Sequence, residues 1–95
     1  MKKYEIIVVL IPSLDEEAVK ANIEKLKGVI EKDGTVVNVD EWGKRRLAYE
    51  INDISEGYYV LINFVASPEL PKELDRICRI SDAVLRHMII NLEEK

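Results

Sequence analysis

Two stretches constrain the fold more than any other feature: KYEIIVVLI at residues 3–11 and YYVLINFVA at residues 58–66. Each carries apolar residues at consecutive positions. That pattern belongs to strands lying centrally in a sheet, with neighbours on both edges. A helix signal follows each of them. After Pro12, Ser13-Leu14-Asp15-Glu16 fits a capping box, in which the Ser13 hydroxyl takes a first-turn amide and Glu16 reaches back. Asp15, Glu16 and Glu17 suit the positive end of a helix dipole. Val19, Ile23, Leu26 and Ile30 then recur at helical spacing, which predicts a helix from about Asp15 to Lys32, stopped by Asp33-Gly34. After the second stretch, Ser67-Pro68-Glu69-Leu70-Pro71 introduces a helix with the stripe Leu70, Leu74, Ile77 and Ser81.

The segments between and after these units are more polar. Thr35 to Ala48 is β-rich but broken by charge, long for one strand, and Gly43 marks a candidate bulge. Asn52 to Gly57 reads as a loop, and Val84 to Leu92 as a last strand. The order β-α-β-β-α-β predicts one α+β, ferredoxin-like domain over residues 1–95. Its four-stranded antiparallel sheet takes the order 4-1-3-2, with both helices on one face. The charged strands two and four are then the edges, where charge discourages pairing with other chains. This topology hosts many functions, so function must come from particular residues.

Those residues do not assemble a catalytic site. The single His87 has no acid or nucleophile placed near it by sequence. IPSLDEE, between the first strand and helix, offers no glycine and three acids where a phosphate or amino-acid site of this topology needs a cradle. A P-loop and a dinucleotide glycine fingerprint are both missing. One His and one Cys make no metal cluster, and Cys78, beside the apolar stripe of the second helix, reads as a small core residue. The expected assignments are no enzyme, no cofactor, no metal and no small-molecule substrate. The longest apolar run, Ile6 to Ile11, is far short of the ~20 residues needed to span a bilayer. No small-residue cleavage site follows the charged start. The expected location is therefore the cytoplasm, with no signal peptide and no membrane partner.

The remaining signal is electrostatic. The formal net charge is -4, yet Lys44, Arg45 and Arg46 are consecutive and sit beside Trp42, the sole tryptophan. A local basic patch directs contact with a polyanion even on an acidic protein. On a regular strand Lys44 and Arg46 share one side and Arg45 takes the other. Arg86 and His87 likewise take opposite sides of the last strand. Tyr58 and Tyr59 read as packing residues rather than base-stacking ones, because no RNA-recognition motif accompanies them.

KYEIIVVLIPSLDEEAV, EWGKRRLAYEI, Gly57-Tyr58-Tyr59 followed by Phe64, and SDAVLRHMII occur in that order. Together they resemble the bacterial small-subunit ribosomal protein six family, over essentially the whole chain. The resemblance implies a structural protein that binds the central domain of small-subunit ribosomal RNA as a heterodimer with small-subunit ribosomal protein eighteen. Carried onto this chain, it implies RNA contact by Trp42, Lys44, Arg45, Arg46 and Arg86, with His87 as a neighbour. Lys2 and Lys3 join that set on charge alone. The partner surface expected beside it comprises Val37, Val39, Glu41, Trp42, Arg45 and Leu47. Asp40, Glu41, Arg45 and Arg46 are expected to keep the edge from self-pairing until the partner covers it.

Overall fold

A computed structural model describes residues 1–51 and 53–93. The elements follow the expected order: β1 (Lys2–Leu10), α1 (Glu16–Glu31), β2 (Gly34–Ile51), β3 (Ile54–Ala66), α2 (Leu70–Ile80) and β4 (Val84–Asn91). The antiparallel sheet runs β2-β3-β1-β4, so the two apolar stretches are its centre. Alternation along β1 and β3 sends Tyr4, Ile6, Val8 and Leu10, with Val60, Ile62, Phe64 and Ala66, toward the helices. Val19, Ile23, Leu26 and Ile30 of α1 and Leu70, Leu74 and Cys78 of α2 close over them. Each large side chain buried there contributes about 1.5–3 kcal/mol. Ile77 packs at the margin of this core, and Ser81 caps the end of α2.

Two local expectations need correction. The N-cap of α1 is Asp15, whose Oδ1 accepts from the Ala18 amide at 2.8 Å; Ser13 lies in the preceding turn. A carboxylate at the positive helix end is favoured by charge as well as by hydrogen bonding, so it displaces the hydroxyl two residues earlier. The expected loop from Asn52 to Gly57 is largely strand. Asn52 itself lies outside the described residues, but Ile54 onward belongs to β3, and Ile54, Glu56 and Gly57 pair with β2. Exposed strand residues such as Ser55 and Glu56 are polar for the same reason loop residues are, since one side of them meets water.

Pairing between β2 and β3 is interrupted by three register shifts, at Val36/Asn38, Glu41/Gly43 and Arg46/Ile51. The middle one is the bulge anticipated at Gly43, whose φ of +82° is left-handed backbone that glycine adopts without strain. Gly57 serves a different need. A Cβ there would collide with the Val9 side chain, and Leu47 packs over the same spot.

Candidate nucleic-acid interface

The register decides where each cation of the Lys44-Arg45-Arg46 block faces. Lys44 pairs with Tyr58 and Arg46 with Glu56, on the side of the sheet that carries the helices. Arg45 pairs with Gly57 and so faces the open side of the sheet. The block thus wraps the edge of β2 rather than lying flat. All three side chains are exposed, and among the described residues none forms an ion pair. Arg45 Nη1 donates only to the backbone oxygen of Lys44, at 3.1 Å.

Trp42 turns to the open face, where its ring stacks on Tyr59 with centroids 6.0 Å apart and planes 13° from parallel. Its Nε1 donates to Asp40 Oδ2 at 3.0 Å, which fixes the indole while leaving part of it in solvent. Across the same face, Arg86 donates from Nη1 to the Tyr49 hydroxyl at 3.1 Å. The guanidinium carbon lies 5.8 Å from the Tyr49 ring centroid, within cation–π range. Ile7, Val9, Trp42, Tyr59, Arg86 and Met88 line a groove between these aromatics. The open face therefore offers an apolar floor with arginines at its rim, a composition suited to a macromolecular contact.

The other expected site residues are dispersed. His87 faces the helices, and its Nε2 donates to Asp75 Oδ1 of α2 at 2.6 Å. Asp75 also pairs with Arg79 at 2.9 Å. The His87 hydrogen bond, aided by Arg79, holds the Asp75 carboxyl below its ordinary pKa. Lys2 and Lys3 are exposed at the far end of β1, about 20 Å from Val9 at the usual strand rise. Val37 is exposed at the first register shift, whereas Val39 packs at the margin of the core and Leu47 is buried. Glu41 lies on the helix side and accepts from the Tyr58 hydroxyl at 2.9 Å, which raises the tyrosine's pKa.

The sequence reading did not assign Ile7, Tyr49 or Met88 to the surface. The signal for two of them was present. Ile7 and Met88 are apolar at positions that alternation points away from both helices, where a solvated sheet face would carry polar residues. Tyr49 left no such trace, because its partner Arg86 is remote in the chain. Burial foremost, with the Asp75 charge, pushes the Cys78 thiol up to about 11, which makes it an unreactive core group. Among the described residues no three His, Cys, Asp or Glu side chains gather around a metal position, and no helix is long and apolar enough to cross a membrane.

Known proteins are similar to this chain in sequence and in fold. The family model described as Ribosomal protein S6 matches residues 3–91. Small ribosomal subunit protein bS6 of Clostridium beijerinckii is 68% identical over 92 residues, covering 96% of this chain and 97% of that protein. Its counterpart of the same name in Clostridium novyi is 64% identical over 95 residues, covering 99% and 100%. The crystal structure of 30S ribosomal protein S6 from Thermotoga maritima matches with a TM-score of 0.89 at 28% identity, over 95% of this chain and 86% of that one.

Proposed function

The chain belongs to the ribosomal protein S6 family, and on that premise we propose that it binds the central domain of small-subunit ribosomal RNA as a heterodimer with small-subunit ribosomal protein eighteen. It is a structural component of the bacterial small ribosomal subunit in the cytoplasm, not an enzyme. One observation carries the reading: an acidic protein holds Lys44, Arg45 and Arg46 on one edge, without an ion pair among the described residues, beside an apolar groove ending at Arg86.

The two components suit two kinds of contact. Phosphate oxygens are met by exposed cations, and Lys44 and Arg46 reach past the helix-side margin of β2. A protein partner needs apolar area and aromatic anchors, which Trp42 and the groove supply on the open face. Arg45, on the open side of the basic edge, serves both. Glu41 and Val37 add polar and apolar edge contacts for the partner, while Val39 and Leu47 support that edge from within. Arg86 closes the groove toward RNA. Lys2 and Lys3 form a separate basic patch for phosphate, and His87 acts behind Arg86 through its tie to Asp75.

Binding of a central-domain RNA fragment, with and without protein eighteen and across a salt series, tests the reading. Tight, salt-sensitive binding is expected only with the partner present. Lys44→Glu with Arg46→Glu is expected to weaken it and to lower the salt slope by about 1 for each phosphate no longer neutralised. Absence of binding with and without the partner overturns the proposal, and an unchanged double variant overturns its RNA half.

A further inference from the structure

Tyr49 is the most exposed aromatic ring among the described residues, at 62% against 38% for Trp42. It meets Arg86 although β2 and β4 are opposite edges of the sheet, three strand spacings or about 14 Å apart. Two features bridge that gap. Between the pairs Arg46–Glu56 and Ile51–Ile54, Leu47 to Glu50 lie opposite Ser55 alone, and the surplus bends β2 out of the ladder. Gly57 leaves a notch on the open face beside Val9, and the buried Leu47 packs into it. The bent segment crosses toward β4 at that notch, so Tyr49 reaches Arg86 with most of its ring in solvent.

We propose that Tyr49 is a base-stacking site: an unpaired nucleobase of the bound RNA lies on its free ring face, and the neighbouring phosphate takes the Arg86 guanidinium. The inference rests on the ribosomal RNA reading and names the kind of nucleotide met at this end of the groove.

The Arg86 guanidinium lies over one side of the ring, 5.8 Å from its centroid, and leaves the other side for a stacked ligand. Among the described residues Tyr49 stacks on no other ring, whereas Trp42 and Tyr59 cover each other. Every base has a face to offer, but only where it is unpaired and splayed out, because a duplex holds both faces between neighbouring bases. Arg86 uses one of its five N–H donors on the Tyr49 hydroxyl and enters no ion pair among the described residues. The remaining donors suit a phosphate oxygen. That hydrogen bond holds ring and guanidinium side by side, as base and phosphate are held within one nucleotide. Arg45, paired with Gly57 on the same face, adds a second cation near the notch. A polyanion is favoured there over a protein segment.

Binding of central-domain RNA by the full chain together with protein eighteen tests the proposal. Tyr49→Leu keeps bulk without a π face and is expected to weaken binding roughly 5- to 150-fold, the loss of one stacked base. Its salt slope is expected to match the parent's, whereas Arg86→Gln lowers the slope by about 1. Tyr49→Phe loses the tie to Arg86 but keeps the ring, so it is expected to bind like the parent. A side chain that only fastened the hairpin to β4 would depend on the hydroxyl instead. RNA fragments carrying one abasic site each, at the unpaired positions in turn, locate the base. At one position the loss is expected in the parent and absent in Tyr49→Leu. Circular dichroism, and heterodimer formation without RNA, are expected to be unchanged in both tyrosine variants. Tyr49→Leu binding RNA like the parent overturns the proposal, as does Tyr49→Phe binding as weakly as Tyr49→Leu. So does an abasic series without that coupling, or a heterodimer weakened in the absence of RNA, which would make Tyr49 a protein contact. These results leave RNA binding by the parent intact; a parent that binds no RNA with its partner overturns the ribosomal reading as well.

Discussion

Asp75 shows how one side chain ties two elements by charge. It sits on α2, accepts from His87 of β4 and pairs with Arg79 one turn on. The carboxyl is held below its ordinary pKa, chiefly by the His87 hydrogen bond. A depressed carboxylate pKa contributes stability above the unfolded-state pKa, and that contribution is lost as pH falls through the folded value. The wild-type melting temperature is therefore expected to fall more steeply than that of Asp75→Asn on acidification below about pH 4. Parallel melting curves across the acid range check this. Equal slopes for the two proteins would show that the exposed pair adds no acid-sensitive stability.

At the scale of elements, the start of α1 separates two capping schemes that local sequence allows. Asp15 makes the contact to the Ala18 amide, so Asp15→Ala is expected to cost about 1 kcal/mol. Ser13→Ala is expected to cost less than half of that, since its hydroxyl caps nothing in the described structure. Urea denaturation of the two variants measures the difference. Helix stripes and central strands were legible because burial imposes a period on neighbouring residues. The extension of the β2–β3 hairpin through Ile54 to Gly57 was not. Its hydrogen bonds go to a partner strand, and polar side chains there look the same in a ladder as in a loop.

For the whole molecule, one core joins the inner face of the sheet to both helices, and Phe64 is at its centre with 1% of its surface exposed. Its ring stacks on Tyr4 of the neighbouring strand at 5.6 Å between centroids. Phe64→Ala is expected to cost about 3–5 kcal/mol, a large share of the stability of a domain this small. Chemical denaturation reads that loss directly, and a cost under about 1 kcal/mol would mean the core collapses around the cavity. The opposite face is built by the same strands without helices to cover it. There the long hairpin brings Tyr49 to Arg86 and Trp42 to Tyr59, making one surface from all four strands.

The order of elements, the central pair of strands, the helix faces and the separation of Arg86 from His87 across β4 followed from sequence alone. Each rests on periodicity or alternation within one segment. The tertiary structure decided which face Trp42 and each cation of the basic block occupy, and how the charges of β2 line up along its edge. Those outcomes depend on register against β3 and on a bulge that displaces it by one residue. It also brought Asp75 to His87 and Tyr49 to Arg86, contacts between residues remote in the chain. Local patterns hold no trace of such contacts, because they exist only once the sheet has paired and the helices have closed over it.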